Sequence, residues 1–316
     1  MSNRNSILVA VFLAAAFLLV SCQSQKLVEG EGYVDVTGGK VWYRVVGDGP
    51  GTPLLVLHGG PGVPSYYLKP LAGLGKNRPV VFYDQLGCGH STAPDDTSLW
   101  TIDRFVTAIG QVRAALGLKK VCLYGHSWGS MLAADYLLTK PDGVRACIMA
   151  GPALSAHRWI HDADSLLTTL PDSVQQVIRQ NEDAGTTDSP EYQAAMMQFY
   201  GMYLARKQPW SADIDSSFAQ MNQAMYNYME GPSEFTITGT IRDYDATPRL
   251  HEITIPTLFI VGEYDESPPS TAAYYQSLMP DAQLEIIPNA AHLAMDDDSA
   301  KYVQAVAAFL KEVDKP

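Results

Sequence analysis

Cysteine is scarce in this chain. Cys22, Cys88, Cys122 and Cys147 are the only four, and their spacing offers neither a metal site nor a disulfide framework. Cys122 and Cys147 fall in apolar runs, where a free thiol packs as a small hydrophobe. Positive charge is also in short supply: 22 Lys and Arg stand against 34 Asp and Glu, for a net charge of −12 and a pI near 4.9. Such a surface repels phosphate backbones, which argues against nucleic acid as a partner. It also disfavours adhesion to anionic lipid by charge alone. No internal repeat or low-complexity tract interrupts the chain, and no pattern implies a metal or cofactor. What is abundant is apolar side chain, 47% of 316 residues. That is enough for the core of one large α/β domain carrying an insertion.

The apolar run at the amino end, Ile7 to Val20, would span roughly 21 Å as a helix, short of the ~30 Å hydrocarbon core. With Arg4 before it, the run reads as an export signal over residues 1–21 rather than a spanning helix. It ends in Leu19-Val20-Ser21-Cys22, which resembles the bacterial lipoprotein cleavage box. That implies lipidation of Cys22, a polar tether over 22–32 and a membrane-anchored protein of the bacterial cell envelope, periplasmic or surface-exposed. Several acyl chains on one cysteine anchor stably, whereas one binds only marginally. An ordinary signal with a coincidental cysteine is the alternative.

Beyond the tether the chain has a repeating grammar. Tyr33 to Val36 and Lys40 to Val46, joined at Gly38-Gly39, read as a hairpin. Pro53 to Leu57, Val80 to Tyr83, Val121 to Tyr124 and Val144 to Met149 are continuously apolar, as strands covered on both faces are. Helical spacing over Ile102 to Leu116 and after Ser127 alternates with them, which implies a mostly parallel sheet with right-handed crossovers. The grammar lapses over 154–247, which reads as helices only, rich in Met and Tyr. It resumes with Ile255 to Val261, Leu284 to Ile287 and a terminal helix near Ser299 to Val313. The expectation is an α/β-hydrolase architecture: a core over 33–153 and 248–316, with a helical lid inserted between them.

Gly125-His126-Ser127-Trp128-Gly129 fits the G-x-S-x-G nucleophile elbow, between a buried strand and a helix. A serine hydroxyl needs an adjacent base. In this architecture the order is Ser, then an acid, then His, each after a strand. Asp265 and His292 meet that requirement at the carboxyl ends of the last two strands. His292 would be the base and Asp265 the residue that orients it. His58 and His126 sit in turns, and His90, His157, His161 and His251 in loop or lid contexts, where a structural role is the simpler reading. The oxyanion donors would be the backbone N–H of Trp128 and one from His58-Gly59-Gly60-Pro61-Gly62, for which Gly60 is preferred over Gly59.

That glycine-rich turn, with Asp84-Gln85-Leu86-Gly87-Cys88-Gly89-His90-Ser91, Gly125 to Ser130 and Gly262-Glu263-Tyr264-Asp265-Glu266, resembles the proline iminopeptidase family of serine aminopeptidases. The stretch Asn227 to Thr240 is most similar to the tricorn-interacting aminopeptidase and amino-acid amidase branch. The resemblance implies removal of an amino-terminal residue, proline or another apolar one, from short peptides. It also implies that Glu234 and Glu266 bind the substrate's free amino group. A charge-assisted contact of that kind is strong and fixes the scissile carbonyl nearby. Leu86 and His126 depart from the family pattern, where Arg and Gly are common, so strict proline preference does not follow. Cleavage of amino-acid amides or esters by the same triad stays open, as does a non-catalytic binding protein on this scaffold.

Overall fold

The computed structural model describes residues 27–315, so the expected signal and Cys22 lie outside the described residues. Eight strands form one sheet: β1 (Gly30–Val36), β2 (Gly39–Val46), β3 (Leu54–Leu57), β4 (Val80–Tyr83), β5 (Val121–His126), β6 (Val144–Ala150), β7 (Thr257–Gly262) and β8 (Ala282–Ile287). Their order is β1-β2-β4-β3-β5-β6-β7-β8. Pairings from β3 and β4 through β8 are parallel, and β1 and β2 join antiparallel at one edge. β1 begins earlier than the sequence suggested. Gly30, Glu31 and Gly32, placed in the tether, pair with Val45, Arg44 and Tyr43. Glycine weakens strand propensity, and partners supplied by β2 override it.

Continuous apolarity has a direct structural counterpart. Leu55, Leu57, Leu123, Met149 and Phe259 enter the core on one face of the sheet. Their chain neighbours Leu54, Val56, Cys122, Ile148, Leu258 and Ile260 enter the core on the other. Period-two alternation therefore sends every position into an interior. The first face is covered by the helices Ile102–Ala115, Trp128–Leu138 and Pro269–Ser277, and the second by the 3₁₀ segment Ser65–Lys76 and the helix Ser299–Val313. Truncating one such fully buried leucine to alanine costs about 2–5 kcal/mol.

Between β6 and β7 lie the helices Ala156–Leu167, Asp172–Ala184, Pro190–Tyr203, Ala212–Ala219 and Gln223–Met229. Local signals set their ends. Ser189 accepts a hydrogen bond from the Tyr192 N–H with Pro190 in the first turn, and Gly185 closes Asp172–Ala184 in a left-handed conformation at φ 66°. Leu167, Ile178, Phe199 and Phe235 give this region a small core of its own. It is not helical throughout, as the sequence suggested. Residues 230–246 form turns around an isolated Ser233–Thr236 bridge, and this loop carries Glu234. The methionines divide between two environments: Met225 and Met229 are buried in the main core, while Met196 and Met221 line a cavity above the sheet.

Candidate active site

Strand β5 ends in a sharp turn at Ser127, held at φ 52°, ψ −121°. A non-glycine residue there stores on the order of 1–3 kcal/mol of strain. Its N–H donates to the Ala150 carbonyl at 2.9 Å. The flanking glycines are obligatory: a Cβ on Gly125 would lie 2.3 Å from the Gly129 carbonyl oxygen, and one on Gly129 would lie 2.2 Å from that of Leu57. Ser127 sits at the amino end of Trp128–Leu138, where backbone N–H groups lack intrahelical partners.

The last two parallel strands deliver Asp265 and His292. Asp265, 1% exposed, accepts from the Gly262 and Ser267 N–H groups at 3.1 and 2.8 Å, and its Oδ1 lies 2.7 Å from His292 Nδ1. An Nδ1–H donated to that carboxylate leaves Nε2 as the basic nitrogen. Burial on its own would lower the His292 pKa, but Asp265, Glu266 and Glu234 overcome it and raise the value to about 9. The His292 N–H donates to the Tyr203 carbonyl at 2.9 Å, tying the base to the lid. Ser127 and His292 line one cavity of about 220 Å³. The structure therefore contains the imidazole–carboxylate link, while among the described residues the Ser127 hydroxyl makes no hydrogen bond to the ring. Links of this kind commonly tighten only with substrate in place.

A buried relay positions the glycine turn. His126 Nε2–H donates to the His292 carbonyl at 3.1 Å, and the Tyr67 hydroxyl donates to His126 Nδ1 at 2.9 Å. Burial, and then proximity to His292, hold His126 well below the usual histidine range, consistent with a neutral ring in this tautomer. The Tyr67 oxygen in turn accepts the Gly59 N–H at 2.7 Å. Gly59 is thereby occupied. Among the described residues, the Gly60 and Trp128 N–H groups have no hydrogen-bond partner, and both residues line the cavity. Gln85 braces the pair: its side chain donates to the His58 carbonyl and accepts the Trp128 indole N–H, each at 2.9 Å. Leu86, where the family commonly has arginine, is buried in the core.

Part of the cavity wall is acidic. Glu234 accepts the Trp159 indole N–H at Oε2 and the Tyr226 hydroxyl at Oε1, both at 2.9 Å. Glu266 is 4% exposed, and its Oε1 has no partner. Burial pushes both carboxyls above their ordinary range, and Glu234 pushes Glu266 further. The structure thus brings Ser127, His292, Gly60, Trp128, Glu234 and Glu266 to one cavity, with Asp265 behind the imidazole.

Sequence reasoning missed four contributors. Trp159 and Tyr226 hold Glu234. Glu230 also lines the cavity. Glu182, from the helix Asp172–Ala184, accepts hydroxyl bonds from Ser233 and Thr236 at 2.6 Å each, and from Tyr192. It clamps the loop on both sides of Glu234. The one available signal was an acidic residue set among apolar neighbours, as at Met229-Glu230-Gly231. Among the described residues, no group of three or more His, Cys, Asp or Glu could hold a metal ion, and no helix is long and apolar enough to cross a membrane.

The parallel sheet, the strained serine after β5 and the acid and histidine after β7 and β8 define a hydrolase of the α/β-hydrolase fold, and that family's model matches residues 52–299. More narrowly, the chain belongs to the proline iminopeptidase family. It is 45% identical over 287 residues to the proline iminopeptidase of Heyndrickxia coagulans, covering 90% of this chain and 99% of that protein. It is 34% identical to that of Saccharolobus solfataricus, covering 94% and 97%. The crystal structure of proline iminopeptidase from Mycobacterium smegmatis superposes with a TM-score of 0.85 at 32% identity, covering 90% of this chain and 99% of that one.

Proposed function

We propose that this protein is a serine aminopeptidase that releases an amino-terminal residue, proline or another apolar one, from short peptides through an acyl-enzyme. In this reading Ser127 Oγ attacks the scissile carbonyl while His292 Nε2 takes its proton. Asp265 holds the imidazole in its tautomer and stabilises the cation. The developing oxyanion lies between the Gly60 and Trp128 N–H groups, each contributing about 3–4 kcal/mol. His292 then gives its proton to the departing amine as the C–N bond breaks. Water, deprotonated by the same base, hydrolyses the ester and restores Ser127. Glu234, from the lid over 154–247, and Glu266, from the core of 33–153 and 248–316, together bind the α-ammonium.

One observation carries the reading: two carboxylates, Glu266 buried and Glu234 half-buried, line the same cavity as Ser127 and His292. A plain esterase has no use for them. A cavity of about 220 Å³ also suits a single acyl residue better than a peptide, since ligand pockets commonly exceed ~300 Å³. Amino-acid amides satisfy the same contacts and are the second reading. A fluorophosphonate should label the intact protein and not the Ser127→Ala variant, and free-amine anilides should be cleaved in preference to their N-acetyl forms. Absence of labelling would instead favour a binding protein on this scaffold.

For its setting, we propose that residues 1–21 are removed on export and that lipidated Cys22 anchors the domain to the bacterial cell envelope. The support is the apolar run and the Leu19-Val20-Ser21-Cys22 box. Cys22→Ala should move the protein from the membrane fraction to the soluble one. Retention at the membrane would contradict the anchor.

A further inference from the structure

The cavity holds one acid more than the amine-binding role requires. Glu230 is 6% exposed and lines the cavity with Glu234 and Glu266. Among the described residues that line it there is no lysine or arginine, and no protein donor reaches the Glu230 carboxylate. Glu266 Oε1 is buried and without a partner. The His292 ring and a substrate's α-ammonium bring positive charge to Glu234 and Glu266, which leaves the third acid to be matched. Buried charges without a partner are expensive. Burial holds the Glu230 and Glu266 carboxyls well above their ordinary range, and a cation carried in by the substrate would be the group that ionises them.

Position separates Glu230 from the other two. It follows the helix Gln223–Met229, its N–H donating to the Tyr226 carbonyl at 2.8 Å and its carbonyl accepting the Gly239 N–H at 2.7 Å. Glu234 instead accepts from Trp159, whose ring packs edge-on against His292 at 5.6 Å, and Glu266 follows Asp265, the partner of the imidazole. The pair near the imidazole is therefore placed for the α-ammonium, which is bonded next to the scissile carbonyl. In an acyl-enzyme the part of the substrate that fills the interior is the first residue, and apart from its α-amine only its side chain can bring a cation there.

We infer that Glu230 forms a second cation subsite, which takes the ammonium or guanidinium on the side chain of a lysine, ornithine or arginine at the amino terminus. This rests on the aminopeptidase reading and deepens its specificity. The substrate class is an amino-terminal basic residue, accepted alongside apolar ones.

The test compares lysine and norleucine anilides at pH 8, a pair that differs by the terminal ammonium. A charge-assisted contact predicts about tenfold or more in kcat/KM for lysine in the intact protein. In Glu230→Gln that ratio should fall to near one, and in Glu230→Asp it should fall only partly. A ratio at or below one in the intact protein, or one unchanged in Glu230→Gln, overturns the inference. Should the variants not fold, inhibition of the intact protein decides: 1,5-diaminopentane must inhibit more tightly than pentylamine, and equal inhibition overturns it. The α-N-acetyl lysine anilide separates the two levels of argument. If it is cleaved as fast as the free amine, the aminopeptidase reading fails. If it is resistant while lysine shows no advantage over norleucine, the second subsite alone fails.

Discussion

Two surfaces meet across the cavity, the rim of the sheet and the underside of the lid, and the carboxylates they contribute are held in different ways. On the rim, Asp265 accepts two backbone N–H groups and the imidazole. The next residue in the chain, Glu266, is almost as deeply buried and has an oxygen with no partner. From the lid, Glu234 accepts two donors and still carries a raised pKa, because burial outweighs them. The rim's carboxylate is satisfied from within the protein. Glu266 beside it and Glu234 across from it keep carboxyls raised by burial, which a substrate's ammonium would bring down. The chemistry is thus built from strained backbone and fixed hydrogen bonds, and the proposed recognition from acids that both surfaces contribute.

The comparison breaks most severely at the rim. Ser127→Ala or His292→Ala should lower kcat by about 10⁴–10⁶, since triad members act as a unit. The loss should be similar for free-amine and acetylated substrates, read by steady-state kinetics. Breaking the lid is more selective. Glu234→Gln should cost free-amine anilides about 10²-fold in kcat/KM, as charge-assisted contacts of about 1.5–3 kcal/mol do, with a far smaller change for an N-acetyl ester. Glu182→Ala removes the acceptor for Tyr192, Ser233 and Thr236. It should raise KM for free-amine substrates about tenfold with a smaller effect on kcat, because Glu234 is displaced rather than lost.

Acidity sharpens the comparison further. The base works only as neutral imidazole, and its pKa of about 9 is upheld by Asp265, Glu266 and Glu234 against burial. The acid limb of kcat/KM for an ester without an amine should therefore lie well above 6.5, the ordinary value for histidine. In Glu234→Gln the limb should move to lower pH, and an unmoved limb would show that the lid's charge does not reach the base. The smallest effect is on stability. Burial and Glu234 hold the Glu230 carboxyl well above its ordinary range. A group whose folded pKa is raised loses stability as pH climbs through that value. Glu230→Gln should then gain roughly 2–6 °C in Tm at pH 8, with the difference closing near pH 4, measured by thermal melts.

The sheet was legible because its strands are buried on both faces, so Pro53 to Leu57 and Val121 to Tyr124 read as unbroken apolar runs. Ser127 was legible because its turn cannot form without Gly125 and Gly129. Asp265 and His292 followed from their places after the last two strands. Glu182, Trp159 and Tyr226 were not legible. Each acts through a contact between lid segments 8 to 75 residues apart, and neither helical period nor composition says which polar residue will face which. Gly30 to Gly32 were assigned to a tether because strand pairing there comes from the partner, not from local propensity.

The central claim is that the lid's charge recognises the amine on which the rim's chemistry acts. A two-by-two comparison tests it most directly: kcat/KM for leucine anilide and N-acetyl leucine anilide, in the intact protein and in Glu234→Gln. The account predicts a preference for the free amine of about 10² or more in the intact protein, collapsing toward one in the variant. The same preference in both proteins would contradict it.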